Sequence, residues 1–385
     1  MAYDFDKPVD RRGTDSMKWN VKDNELPMWV ADMDFKTAPE IRDALSRRLK
    51  HGVFGYTEVP DEWYDAYISW WARRHNTRIN REWLMFCTGV VPAISSIVRK
   101  LTTPNENVVI QTPVYNIFFN SIINNGCRVL ESPLKYENGN YSMDFSDLEK
   151  KLSNPQTKLM ILCNPHNPSG RDFTGEELTR IGDICLKHNV TVLSDEIHND
   201  FVFKGKHTVF ASVKKEFEDI CVVCTSASKT FNLATMLVSN IFIPNRDLKK
   251  RFKKEVDAAG ISQLNIMGLL ATQAAYEYGD EWYESMHAYV KDNIEYVKEY
   301  VHSNLPGVKV IDSEGTYLMW LDFRNTGINS DEINRRMIND ARLWLERGEI
   351  FGEEGEGFQR LNIATPRTNL TECLERIREH VLKIS

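Results

Sequence analysis

Between residues 93 and 258, short apolar runs rich in β-branched residues alternate with longer segments whose apolar positions recur at helical spacing. The apolar runs predict strands at 108–111, 128–131, 158–163, 190–194, 220–224 and 239–243. The longer segments predict helices at 93–101, 114–124, 175–187 and 246–258. This alternation is typical of an α/β fold with a mostly parallel central sheet and helices on both faces.

The start of one helix is marked locally, because Thr174 and Glu177 have the spacing of a capping box. Beyond about residue 280 the pattern changes to that of a smaller α+β unit. Its predicted helices are 281–303, 330–341 and 370–384, and its predicted strands are 308–311, 316–323 and 360–363. We therefore predict a large domain at 49–284 and a small domain at 285–385, which the N-terminal segment 1–48 joins.

Composition narrows the class of protein. The chain has 385 residues, 42% of them hydrophobic, and a net charge of −7 with interspersed signs, so we expect no nucleic-acid partner. No apolar stretch approaches the ~20 residues of a membrane span, and residues 1–6 lack a signal-peptide pattern. The seven cysteines lie mostly in apolar runs, which favours reduced thiols, a cytoplasmic protein and no metal site.

Three polar segments follow three of the predicted strands, at 164–170, 194–198 and 226–233. Because ligands of parallel sheets bind at the carboxyl ends of strands, we expect Asn164, Asp195 and Lys229 to share a site. Lys229 is placed to form an imine with an aldehyde cofactor, and the hydroxyls of Ser226 and Ser228 to hold a phosphate. Read alone, the last segment is an ordinary solvated turn.

Each neighbouring residue has a function in such a site and an ordinary structural alternative. Pyridoxal 5′-phosphate (PLP) needs an anion beside its ring nitrogen, which Asp195 supplies unless it is a turn residue. Asn164 can donate to the cofactor's phenolate oxygen or belong to a plain turn. His198 can reach the same oxygen or face solvent, with equal weight. Tyr115 can stack on the ring or pack in the core.

Two further segments supply groups for anions. Residues 88–92 lead from a strand into a helix, so the backbone amides near Val90 and Val91 favour a phosphate. No Walker loop or G-x-G-x-x-G pattern occurs, so nucleotide binding has little support. Arg367, after the predicted strand 360–363, can clamp a substrate carboxylate or be a surface residue.

These residues resemble those of fold-type I PLP-dependent enzymes of the class I/II aminotransferase family, over nearly the whole chain. The resemblance is closest to the MalY/PatB-type cystathionine β-lyase (carbon–sulfur lyase) branch. The segments that carry it are 10–19, 28–35, 54–57, 164–170, 194–198, 228–234 and 351–358.

The resemblance implies a role for each candidate. Lys229 is the Schiff-base lysine and catalytic base, Asp195 the pyridinium partner and Asn164 the phenolate donor. Tyr115 stacks on the ring, while Tyr56 reaches the phosphate in the neighbouring subunit, which implies a homodimer with shared active sites. The substrate-binding residues that it implies are Arg367, Ala31, Trp29 and Asn164.

The chain also departs from many aminotransferases of this superfamily. His198 stands where they have tyrosine, and Leu237 where they have an arginine that grips the phosphate. The lyase branch also tends to lack that arginine, which favours a lyase, although Thr235 replaces a common glycine there. We therefore expect α,β-elimination of L-cystathionine or a related cysteine S-conjugate to a thiol, pyruvate and ammonia. The alternatives are an aminotransferase and, last, a cofactor-binding regulator without catalysis.

Overall fold

A computed structural model describes residues 3–384, and its centre is a seven-stranded sheet. The strands are β1 (Leu84–Cys87), β2 (Asn107–Ile110), β3 (Arg128–Glu131), β4 (Thr157–Cys163), β5 (Thr191–Asp195), β6 (Cys221–Thr225) and β7 (Ser239–Phe242). They lie in the order β1-β7-β6-β5-β4-β2-β3, and only β7 runs antiparallel to its neighbours. The predicted mostly parallel sheet is confirmed.

Helices cover both faces of this sheet because its strands are apolar on both sides. Val109 and Val192 belong to one hydrophobic core, whereas Val108 and Leu193 belong to the other. The helices are α1 (Pro39–His51), α2 (Asp61–His75), α3 (Val90–Leu101), α4 (Ile117–Ile123), α5 (Phe145–Leu152), α6 (Gly175–His188), α7 (Arg246–Ala258), α8 (Ile266–Tyr278), α9 (Asp280–Asn304), α10 (Ser330–Arg335) and α11 (Arg367–Arg376).

A second sheet has four antiparallel strands, in the order β8-β9-β11-β10. They are β8 (Lys309–Val310), β9 (Leu318–Asp322), β10 (Glu346–Arg347) and β11 (Phe358–Asn362). The N-terminal segment reaches this part of the chain, because Leu26–Pro27 pairs with Leu343–Trp344. The domain division at 48 and 284 stays a prediction, and its residues 1, 2 and 385 lie outside the described part.

Several boundaries differ from the prediction. The helix expected at 114–124 begins only at Ile117, because the Phe118 amide donates to the Tyr115 carbonyl oxygen, three residues back, as in a turn, and not to the Val114 carbonyl oxygen. The helices expected at 330–341 and 370–384 end early, and each continues as a π-helical turn. The capping box of Thr174 and Glu177 is confirmed.

The cysteines and the helices bear on two expectations from composition. All seven cysteines are buried free thiols, and Cys221 and Cys224 both lie in β6. Among residues 3–384, no helix combines the length and the apolar character needed to cross a membrane.

Candidate active site

Lys229 lies in a short helical turn, Ala227–Thr230, just past the carboxyl end of β6. Its Nζ donates to the Ala31 carbonyl oxygen at 2.7 Å, and the same oxygen accepts from the Tyr317 hydroxyl at 2.9 Å. Burial, and then the positive charge of Arg360, lower the pKa of Lys229 to about 8. A lysine amine with a pKa of about 8 is neutral in about a tenth of molecules at pH 7, far more often than an ordinary lysine, and the neutral form is the one that acts as nucleophile or base.

Asp195 closes β5, one strand away from β6 in the sheet. Burial raises its pKa to about 7, although the Ile197 amide and the Lys229 cation favour the charged form. Burial also lowers the pKa of His198 well below its usual value, and the His198 Nδ1 is buried without a hydrogen-bond partner among the described residues. Perturbed titratable groups of this kind concentrate at functional sites.

A cavity of about 290 Å³ joins these groups at the carboxyl edge of the sheet. Eight of the predicted site residues line it: Ala31, Val90, Val91, Tyr115, Asp195, His198, Ser228 and Lys229. Thr88 and Gly89, which belong to the predicted anion segment 88–92, also line the cavity, as does Leu237. Asn167, Ile197 and Ala234 line it as well, and the sequence had not singled them out. The structure thus brings most of the predicted residues into one place.

One end of the cavity is built to receive an anion. Helix α3 begins there at Val90, after Gly89, so the amides of its first turn point to the cavity without helical acceptors. The Ser228 hydroxyl lies beside them, whereas Ser226 is behind it and donates to the Val238 carbonyl oxygen at 2.6 Å. Ser226 therefore supports the turn rather than lining the cavity.

The loop 164–170 places a different asparagine at the cavity from the one predicted. Asn164 is fully buried, and its Oδ1 accepts from the Phe173 amide at 2.8 Å, while its Nδ2 has no partner among residues 3–384. Asn167 lines the cavity. Its Oδ1 accepts from Arg360 at 3.0 Å, which leaves Nδ2 as the donor for a ligand. The loop contains two Asn-Pro pairs, and the sequence alone did not distinguish them.

The structure does not bring Arg367 to the cavity. At the start of α11, its Nε donates to Asn293 Oδ1 at 2.8 Å and its guanidinium lies over the Tyr296 ring. The arginine that adjoins the cavity is Arg360, seven residues earlier in β11. It is 3% exposed, and its Nε has no partner among the described residues. A charged residue inside a predicted strand was the signal that could have identified it, because a buried charge requires partners.

Two other predicted residues lie outside the cavity wall. The side chain of Trp29 packs beside Trp344, and its carbonyl oxygen accepts from Arg360 Nη2 at 3.0 Å. Tyr56 is fully exposed, in a loop where Val53 and Phe54 are exposed as well. Neither side chain lines the cavity, and Trp29 contacts Arg360 through its backbone.

Comparison with known proteins decides the family. The profile described as aminotransferase class I and II matches residues 24–377. The chain belongs to this family. Within it, the chain is 42% identical over 382 residues to the cystathionine β-lyase PatB of Bacillus subtilis (strain 168), which is 97% of this chain and 98% of PatB. It is 33% identical to the protein MalY of Escherichia coli (strain K12), over 96% of each chain.

A solved structure has the same fold. Cystalysin from Treponema denticola, which contains a pyridoxal 5′-phosphate cofactor, superposes with a TM-score of 0.96 and 36% identity over 98% of each chain. The predicted fold class, with its mostly parallel sheet and PLP-type architecture, is therefore confirmed.

Proposed function

We propose that this chain is a PLP-dependent carbon–sulfur β-lyase that cleaves L-cystathionine or a related cysteine S-conjugate. The observation that carries the proposal is the cavity at the carboxyl edge of the large sheet, where the Lys229 amine lies with Asp195 and with Asn167, whose Oδ1 accepts from Arg360. The similarity to PatB and to cystalysin supports the same reaction class.

The polar groups that line the cavity fit those of PLP. The amides at the start of α3 and the Ser228 hydroxyl would hold the phosphate, and Asp195 would be the anionic partner of the ring nitrogen. Asn167 Nδ2 would donate to the phenolate oxygen, in place of Asn164, and His198 contributes a buried Nδ1 that has no partner among the described residues. Tyr115 would supply a ring to stack on the cofactor.

The residues of the chain then divide the chemistry between them. Bound PLP supplies an electron sink for the bond broken at the substrate Cα. Arg360 binds the α-carboxylate through its guanidinium, which orients the Cα–H bond toward Lys229. The Lys229 amine takes the proton from Cα as general base, which its lowered pKa permits near neutral pH.

The fate of the substrate after proton removal separates the two candidate activities. If the sulfur on Cβ leaves as a thiolate, one water is consumed and the products are a thiol, pyruvate and ammonia. Transamination would instead release the substrate as its 2-oxo acid and would need a second 2-oxo acid to accept the amino group. The same residues serve both. The lack of a cation at Leu237, which lines the phosphate end, and the similarity to PatB favour elimination.

We further propose a homodimer in which Tyr56 of one subunit completes the phosphate site of the other. The support is the position of this residue on an exposed loop that also exposes Val53 and Phe54, because exposed apolar side chains that lie close together mark interaction surfaces. We also propose a cytoplasmic location, which the seven buried free thiols support.

The test is to mix the holoenzyme with L-cystathionine, with and without 2-oxoglutarate, and to measure pyruvate and free thiol. We expect both products in equal amounts without any 2-oxo acid. Negligible pyruvate together with fast turnover that depends on 2-oxoglutarate would identify an aminotransferase instead.

A further inference from the structure

Among residues 3–384, Glu346 is the one carboxylate paired with Arg360, the arginine that we assign to the substrate carboxylate. It lies on β10 directly opposite Arg360 on β11, and its Oε2 is 3.5 Å from Arg360 Nη2. Residues opposite each other in an antiparallel pair lie on the same face of the sheet, so this contact is set by the register of the two strands.

The other hydrogen-bond partners of Arg360 carry no charge. Nη1 donates to the Asn167 side chain at 3.0 Å and Nη2 to the Trp29 carbonyl oxygen at 3.0 Å, while Phe351 lies under the guanidinium. Glu346 is therefore its only ion-pair partner among residues 3–384. When a substrate carboxylate binds to Arg360, two carboxylates share one buried cation. Like charges in such a site cannot both remain ionised without cost.

Glu346 has access to solvent, whereas Arg360 does not. The Glu346 side chain is 22% exposed and that of Arg360 is 4% exposed. The exposed side of Glu346 faces a groove of about 500 Å³ that is also lined by Trp29, Trp344 and Arg347. A proton can thus reach Glu346 from this groove without passing through the cavity that contains Lys229.

We propose that Glu346 acts as a positioning residue that takes up a proton from solvent when a substrate carboxylate binds to Arg360, and that it thereby makes carboxylate affinity depend on pH. The inference rests on the proposed function only in assigning the substrate carboxylate to Arg360. In the free enzyme the Glu346 carboxylate balances the Arg360 charge. In the complex the substrate carboxylate balances it, and Glu346 is held as the neutral acid.

The surroundings of Glu346 favour this exchange. Burial raises its pKa despite the lowering effects of Arg360 and of Arg347, its neighbour on β10. The same groove carries Asp331 and Arg335 of α10, which contribute charges of opposite sign. On the cavity side, the Tyr115 hydroxyl is the titratable group whose pKa is affected by the charges of both Arg360, which lowers it, and Glu346, which raises it. A second carboxylate at Arg360 raises the pKa of Glu346 further.

The sign of the pH effect follows by linkage. Below the pKa of Glu346 in the free enzyme, the residue is already neutral and the carboxylate binds tightly. Between the pKa in the free enzyme and that in the complex, affinity falls as pH rises. Glu346→Gln is neutral at every pH, so it should bind a carboxylate tightly throughout. Above this pH range, Glu346→Gln should bind the carboxylate more tightly than wild type, by about tenfold for each unit by which the bound carboxylate raises the pKa of Glu346.

The experiment is calorimetric titration of the holoenzyme with 3-(methylthio)propionate, which has the carboxylate and thioether but no amine to react. Titrations of wild type, Glu346→Gln and Arg360→Lys at several pH values, each in phosphate and in Tris, give both the affinity and the number of protons taken up. Glu353→Gln is the matched control, since Glu353 is exposed and is not an ion-pair partner of Arg360 among the described residues.

We expect wild type to take up protons on binding and to lose affinity as pH rises, as Glu353→Gln also does. We expect Glu346→Gln to take up fewer protons and to keep its affinity. Equal proton uptake by wild type and Glu346→Gln, with weak binding by Arg360→Lys, would overturn the role of Glu346 but not that of Arg360. Unchanged binding by Arg360→Lys would overturn the assignment of the carboxylate to Arg360. If Glu346→Gln fails to fold, a lack of proton uptake by wild type would still overturn the proposal.

Discussion

The two walls of the cavity differ in how they are built. One wall consists of residues at the ends of adjacent strands of the large sheet, such as Asp195 and Lys229. The other depends on Arg360, a residue of the small sheet that donates to the cavity residue Asn167 and to the Trp29 carbonyl oxygen. The first wall forms within one sheet from strands that pair directly, whereas the second requires the small sheet to pack against the loop 164–170. The chemistry is therefore set by strand ends and the substrate orientation by tertiary packing.

We expect the greatest loss of activity from a substitution in the first wall. Lys229→Ala removes the base and the amine that holds the cofactor, so we expect pyruvate formation from L-cystathionine to fall about 10³-fold or more. The absorbance band of the covalently held cofactor should disappear as well. Lys204→Ala, which removes an exposed lysine paired with Asp312, is the control and should keep both. An unchanged spectrum in Lys229→Ala would show that another lysine holds the cofactor.

A second prediction concerns the stability of the cofactor-free protein, to which Asp195 of the same wall contributes. Because the folded-state pKa of Asp195 is raised to about 7, the wild-type protein binds more protons at this residue when folded than when unfolded. The resulting stabilisation is complete below the usual pKa of an aspartate, and it is lost as pH rises to about 7. Asp195→Asn has no such loss. Its free energy of unfolding at pH 8 should exceed that of wild type by up to about 4 kcal/mol, with a higher Tm, and the difference should be smaller at pH 5.

Asp200→Asn is the matched control for this thermal unfolding measurement and should have the opposite sign. The pKa of Asp200 is lowered despite burial, because its carboxylate accepts from His75 and Thr230. That substitution should therefore destabilise the protein at pH 8. A Tm for cofactor-free Asp195→Asn at or below that of wild type at pH 8 would contradict a buried, strained carboxylate at this position.

The same difference between the walls explains how far the sequence predicted the site. Periodicity predicted the strands and their polar ends, and it placed Asp195 and Lys229 together because parallel strands end at one edge. It did not distinguish Asn164 from Asn167, since both precede proline in one loop. The sequence also led to Arg367, after β11, instead of Arg360 within it. Which residue of β11 faces the cavity is set by the pairing of β11 with β9 and β10.

The assignment of the substrate carboxylate to Arg360 is therefore best tested by measuring KM and kcat for L-cystathionine in Arg360→Lys and Arg367→Lys. Both variants keep the positive charge, and only the first loses a guanidinium beside Asn167. We predict that Arg360→Lys lowers kcat/KM about 10²-fold, or about 2–3 kcal/mol, with an intact fold and bound cofactor. We predict that Arg367→Lys stays within a few-fold of wild type. The reverse order would contradict the assignment of the substrate carboxylate to Arg360.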